Sequence, residues 1–304
     1  MKVKLFNKIL IIGVGLIGSS IARAVRKCEL SNQVIGYDID PKVRVKCEKL
    51  KIVDHFINSI ENDINHFDLI IICSPLGSYR NIFSILNKTI KKECIITDVG
   101  SAKQKIINDF IEVSKNNFIT FVPGHPIAGL EKSGPEFGFS ELFHNRYCIL
   151  TPIKKEDKKI KVVQHMWESF GMKIEFMDAE RHDKVLAMTS HIPQLIAYSI
   201  VATATELEVN LKEEVIKYSA AGFRDFTRLA GSDPIMWRDV YSQNKEAVLE
   251  MLGRFSEDLS YLQKAIRNND IKKMEKIFSS TREIRKLIEE SGQAGTFDPR
   301  ESDK

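Results

Sequence analysis

The chain has 304 residues, 43% of them hydrophobic and 28% charged, with a formal net charge of +4. That length allows two domains and that balance is typical of globular proteins, while a charge so small and dispersed argues against a nucleic-acid partner. The basic, apolar N-terminus runs into a glycine loop without a small-residue cleavage site, and no apolar stretch reads as long enough to span a bilayer, so neither a leader nor a membrane anchor is expected.

In chain order, the apolar run Lys8–Ile12 reads as a buried strand. It meets Gly13-Val14-Gly15-Leu16-Ile17-Gly18, then a helical stretch from Ser19 to Lys27 and a second strand, Gln33–Tyr37, ending at Asp38. This is the dinucleotide-binding βαβ pattern with each part in context. Gly13 allows the tight turn, Gly15 lets a pyrophosphate approach the backbone, and Gly18 lets helix and strand pack closely. Leu16 and Ile17 belong to the same cofactor-binding loop, and the N-terminus of the helix that follows offers free N–H groups and a positive dipole to phosphate. Asp38 falls where a carboxylate takes the adenosine ribose hydroxyls and would repel a 2′-phosphate. NAD is therefore the expected cofactor, with NADP as the alternative because Arg44 follows one or two helical turns later.

Further along, Pro41 opens a short helix, Asp68–Cys73 is a strand leading to Ser74-Pro75, and a helix lies near Tyr79–Ile90. Cys94–Thr97 is a strand ending in Asp98-Val99-Gly100-Ser101, followed by a helix from Ala102. Phe118–Val122 ends at Pro123-Gly124-His125-Pro126. Tyr147–Thr151 and Lys173–Met177 read as the last strands, bracketing a helix at Glu156–Phe170. The expected architecture is α/β: a doubly wound (Rossmann) dinucleotide-binding domain over residues 1–177. Its strand ends gather Asp38, the cofactor-side pair Ser74 and Pro75, Ser101 and His125 at one crevice. An all-α substrate and dimerisation domain is expected over 178–290, and a disordered tail over 291–304. One long helix, Asp183–Glu206, is expected with a kink at Pro193. The stripe Val248, Leu252, Phe255, Leu259, Leu262, Ile266 fits burial against a second copy, so a homodimer is expected. The five cysteines (Cys28, Cys47, Cys73, Cys94, Cys148) show neither CxxC nor metal spacing; Cys73 and Cys94 lie in apolar strand runs and read as buried thiols, which fits a cytoplasmic protein.

The candidate catalytic residues are His125, which reads as sitting in a turn, and Ser101. A neutral histidine suits removal of a hydroxyl proton near pH 7; the alternative is a histidine that caps a turn. Ser101 reads either as the N-cap of the following helix or as a hydroxyl facing substrate or nicotinamide. His191 and Gln194 share a helix face, and Arg228 is one of several arginines suited to a carboxylate or to an internal ion pair.

Six segments, GVGLIGSSIA, VIGYD, TDVGSAK, GHPIAGLEKSG, TSHIPQLIAY and GFRDFTRLAGSDPIMWRD, together resemble the prephenate/arogenate dehydrogenases of tyrosine biosynthesis, over about Ile9 to Asn244. The resemblance implies oxidative decarboxylation of a cyclohexadienol by hydride transfer to the nicotinamide. It implies His125 as partner of the ring hydroxyl, aided by Ser101, and Arg228 as anchor of the ring carboxylate. Glu131 is by that pattern a gating or active-site acid, or else a surface carboxylate. It also implies a dimer through interlocked helical domains. Many relatives carry a second histidine where this chain has Gln194; a neutral glutamine there favours the ammonium of arogenate over the keto acid of prephenate. The expected reaction is thus arogenate to tyrosine, with prephenate or dual specificity as the alternative. A β-hydroxyacid dehydrogenase, which relies on a helical-domain lysine, and a non-turning NAD sensor are the competing readings.

Overall fold

The computed structural model describes residues 4–64, 66–154, 156–206, 213–215 and 217–290. The tail expected at 291–304 lies outside them. The chain divides into two compact units, residues 1–248 and 249–304.

The first unit is built on a six-stranded parallel sheet: β1 (Phe6–Ile12), β2 (Ser31–Tyr37), β3 (His55–Phe56), β4 (Leu69–Ile72), β5 (Cys94–Asp98) and β6 (Ile119–Val122), in the order β3-β2-β1-β4-β5-β6. The central strands are apolar without alternation because both faces are covered. On one face Ile9, Ile11, Leu69 and Ile71 pack with Ile21 and Val25 of α1 (Leu16–Lys27). On the other, Leu10, Ile12, Ile70 and Ile72 pack with Phe83 of α3 (Tyr79–Thr89) and Ile106 of α4 (Gln104–Val113). The short α2 (Pro41–Lys49) follows β2 and starts at an Asp40 cap, whose side chain accepts from Lys42 N. The strand order reverses between β1 and β4, and it is there that doubly wound sheets open a ligand crevice.

Two expectations are corrected. The later strands do not extend this sheet. β7 (Gly124–Pro126), β8 (Tyr147–Leu150) and β9 (Lys173–Phe176) form a second, three-stranded sheet in which β7 runs antiparallel to β8. Only Pro123 separates β6 from β7. Its ring fixes φ and removes a ladder donor, so the chain leaves the parallel sheet at that point. His125 therefore sits on a strand, opposite Ile149, and not in a turn. Between β8 and β9 lies α5 (Lys159–Ser169), which buries Trp167 in the main core.

The helical run after β9 consists of α6 (Ala179–Leu186), a π turn (Ala187–His191) and α7 (Ile192–Thr205). The kink expected at Pro193 is taken up by that turn, because proline cannot donate to the carbonyl one turn back and its ring crowds it. The whole run is long and apolar enough to cross a membrane, contrary to the reading of the sequence. Its buried polar residues His182, Asp183, His191 and Gln194 bond to residues elsewhere in the first unit, His182 to His125, Asp183 to Lys103, His191 to Asn244 and Gln194 to Leu229. α8 (Ala221–Thr227), α9 (Pro234–Gln243) and the start of α10 (Lys245–Arg267) complete this unit, which runs past residue 177 to 248. In the second unit, the rest of α10 and α11 (Ile271–Glu290) leave Leu259, Ile266, Phe278 and Leu287 exposed.

Candidate active site

The glycine loop closes β1 onto α1. Gly13 has φ +89°, and a Cβ there would lie 2.7 Å from Ser74 N; one at Gly18 would lie 2.2 Å from Gly13 O. Neither position tolerates a side chain. Gly15 differs, since a Cβ there meets nothing within 4 Å. It precedes α1, whose N-terminus has no side-chain cap and no acidic residue in its first turn. An open cradle before an uncapped helix start is what a pyrophosphate requires. Leu16 and Ile17 anchor that start by packing against the core.

At the end of β2, Asp38 Oδ2 accepts from Val14 N at 2.9 Å and Oδ1 from Asp40 N at 2.9 Å. Each oxygen keeps a second lone pair for a ribose hydroxyl. Arg44 donates to Asp38 O at 2.7 Å and lies over the rings of Tyr37 and Phe56, 5.7 and 5.9 Å from their centroids. Ser74, beyond β4, has its hydroxyl 2.8 Å from that of Ser78, with Pro75 between them. Asp239 on α9 accepts from Gly77 N at 3.1 Å and ties this loop to the helices. The residues present fit a dinucleotide.

The end of β5 is organised by Asp98. Its carboxylate accepts from Gly100 N (2.8 Å) and Gly124 N (3.1 Å) and pairs with Lys103 Nζ at 2.6 Å, both side chains fully buried. The loop carrying Ser101 is thereby held beside the strand carrying His125. Burial pulls the Lys103 ammonium below its ordinary pKa against the attraction of Asp98. The helix expected at Ala102 begins instead at Gln104, and Ser101 is not its cap. The N–H groups of Lys103 and Gln104 go to the Asp183 carboxylate on α6, at 2.8 and 2.9 Å.

His125 Nδ1 is 2.9 Å from His182 Nε2, and His182 Nδ1 is 2.8 Å from Asp183 Oδ1. Burial pushes His125 well below the usual imidazole range, assisted by the nearby His182, Lys103 and His191. His182 is also lowered by burial, in spite of its bond to Asp183. Asn244 spends both amide hydrogens, one on Asp183 O at 2.9 Å and one on His191 Nδ1 at 3.1 Å. Accepting at Nδ1 places the proton of neutral His191 on Nε2, a buried atom without a partner among the described residues. Burial brings His191 down to about 4.

Gln194 is buried and its Nε2 donates to Leu229 O at 2.7 Å. Because a carbonyl only accepts, the glutamine oxygen faces the other way. Arg228 and Glu131, about half and one-third exposed, form an ion pair. The arginine expected to hold a substrate carboxylate is thus paired with the expected gating acid.

Residues 21–176 match the family model described as prephenate dehydrogenase, nucleotide-binding domain, and residues 178–280 match prephenate dehydrogenase, dimerization domain. The chain belongs to the prephenate dehydrogenase family. It is 38% identical to a cyclohexadienyl dehydrogenase of Zymomonas mobilis over 87% of this chain and 90% of that protein. It is 33% identical to a prephenate dehydrogenase of Bacillus subtilis over 92% and 75% of the two chains. Among solved structures, prephenate dehydrogenase from A. aeolicus in complex with hydroxyphenyl propionate and NAD+ is 35% identical and superposes with a TM-score of 0.86, covering 93% and 98% of the two chains. The fold is also that of Synechocystis arogenate dehydrogenase, at 24% identity and a TM-score of 0.75, over 92% and 99%. The chain is thus an oxidoreductase of the tyrosine-biosynthesis family with a nucleotide-binding Rossmann domain and the family's dimerisation domain.

In this member, sequence reading missed Lys103, His182, Asp183 and Asn244 as parts of the site. Asp183 read only as the first residue of the expected helix and His182 fell just before it, and the only available signal was two adjacent polar groups at the start of an apolar helix.

Proposed function

We propose that this prephenate dehydrogenase family member converts arogenate to tyrosine, with NAD as the hydride acceptor and prephenate as the lesser substrate. The observation that carries the chemistry is His125, a buried imidazole held neutral beside the nucleotide crevice. Gly15 and the N–H groups at the start of α1 would hold the pyrophosphate of NAD in the loop that Gly13 and Gly18 close, with Asp38 toward the ribose and Ser74 and Pro75 beyond β4; the bound cofactor would supply the hydride acceptor. His125 accepts the hydrogen bond of the ring hydroxyl as hydride leaves the carbon that bears it, and Ser101 orients that hydroxyl. Carbon dioxide leaves the opposite ring carbon, its bonding pair enters the ring, and the phenol oxygen recovers its proton. Aromatisation supplies the driving force, so the protein mainly positions and polarises. Arg228 takes the ring carboxylate in exchange for Glu131, and the buried Nε2–H of His191 offers a donor to the substrate.

The preference for arogenate rests on Gln194. With one N–H of its amide donated to Leu229 O, its oxygen is the acceptor it can offer the ammonium of the substrate side chain; a histidine that gains charge would repel it. NAD is preferred over NADP because Asp38 repels a 2′-phosphate and Arg44 is engaged with Asp38 O and two rings. Free thiols fit a cytoplasmic location, and the dimerisation domain fits a homodimer. The test is NADH formation with arogenate and prephenate offered separately. A higher kcat/KM for arogenate is expected, with the preference narrowing in Gln194→His. Preference for prephenate would sink the specificity, and no turnover of either, with NAD or NADP, would sink the activity.

A further inference from the structure

His182 and Asp183 have no part in the reaction as described, yet they stand directly behind His125. We infer that they are positioning residues that set the tautomer of His125, so that its Nε2 carries the lone pair that takes the substrate proton. This inference rests on the reading of His125 as the base.

Asp183 Oδ1 accepts from Lys103 N and Oδ2 from Gln104 N, at 2.8 and 2.9 Å. An ionised carboxylate only accepts, so His182 Nδ1, 2.8 Å from Oδ1, carries a proton and donates it. His182 is fully buried. Burial and the Lys103 ammonium oppose a second proton, which leaves Nε2 of His182 as a lone pair. His125 Nδ1, 2.9 Å away, must then be the donor. Neutral His125 has one proton, and with that proton on Nδ1 the basic nitrogen is Nε2. When Nε2 takes the hydroxyl proton, the Nδ1–H of the imidazolium stays donated to His182, with the Asp183 charge behind it. The proton remains on Nε2 and returns to the phenol oxygen, so nothing passes along the chain. The charged and titratable groups around the two rings are Asp98 at the end of β5, Lys103 in the loop after it, Asp183 on α6, His191 on the π turn and Cys148 on β8. None of the others is hydrogen-bonded to His125 Nδ1 in the described residues, so His182 alone sets its proton.

A merely structural role would have the two histidines satisfy each other in either tautomer. The discriminating measurement is long-range proton–nitrogen correlation on protein labelled with 15N-histidine, the His125 signals being assigned by their loss in His125→Gln. A proton on Nδ1 of His125 is expected in the parent protein; a proton on Nε2 overturns the inference, and this readout needs no substrate. In His182→Leu, kcat is expected to fall about a hundredfold with KM values changed less than about threefold. The acidic limb of its kcat profile moves to lower pH, because the imidazolium loses its acceptor. His182→Gln keeps an acceptor at that reach and restores most of kcat. Turnover of His182→Leu within about threefold of the parent also overturns the inference; should that variant fail to fold, the tautomer of the parent decides. If the parent turns over neither cyclohexadienol, the activity fails while the tautomer still stands or falls by itself.

Discussion

Polar side chains buried in an apolar core carry a cost unless each finds a partner. Here Lys103, Asp98, His125, His182, Asp183, His191 and Asn244 meet that cost mostly by bonding to one another. The histidines do so as neutral rings, with a consequence for stability. Their folded pKa values lie below the ordinary 6.5, and that of His191 reaches about 4. Below pH 6.5 the unfolded chain binds protons that the folded chain refuses. Stability is therefore full above about pH 6.5 and declines as pH falls toward 4, by up to about 1.4 kcal/mol per pH unit for each ring that stays neutral. Urea midpoints measured from pH 7.5 to pH 4.5 should fall accordingly. A flat profile would mean that the buried rings accept protons in place.

At the scale of the element, the glycine loop separates two demands that the motif combines. Gly18 serves packing, since a Cβ there strikes Gly13 O at 2.2 Å and Ile11 Cγ2 at 3.1 Å. Gly15 serves the ligand, since its surroundings in the protein are open and its φ of −77° suits any residue. Gly18→Ala should lower the melting temperature by several degrees through the overpacking of α1 on β1, a cost of about 1–3 kcal/mol. Gly15→Ala should melt like the parent and yet lose NAD binding at least tenfold by titration calorimetry. Equal NAD affinity in Gly15→Ala and the parent would place the pyrophosphate elsewhere. The βαβ reading was legible because its spacing is local. The second sheet was not, because whether β7 joins the parallel sheet depends on a turn at Pro123 and on pairing with β8, more than twenty residues on.

For the whole molecule, the helical region poses a question of area. Leu259 and Ile266 of the predicted stripe are more than half exposed in the single chain, as are Phe278, Ile284 and Leu287 on α11. Apolar exposure on that scale marks an association surface, and the match to the family's dimerisation domain agrees with it. Sedimentation equilibrium should give twice the chain mass. Leu259→Glu with Ile266→Glu should shift it toward the monomer, and a monomeric parent would refute the dimer.

The sequence by itself determined what depends on near neighbours. The glycine loop, Asp38 and the apolar strands follow from spacing and turn chemistry, and the six family segments carried the activity class. Tertiary structure alone decided the partnerships. Asp183 reaches the N–H of Lys103 from eighty residues away, Asn244 reaches His191 from fifty-three, and Arg228 meets Glu131 from ninety-seven. A helix position shows which side chain is present but not what will face it. The tautomer of His125, the bond from Gln194 to Leu229 O and the displacement of Ser101 from the helix cap all depend on such facing pairs, which exist only once the core has closed.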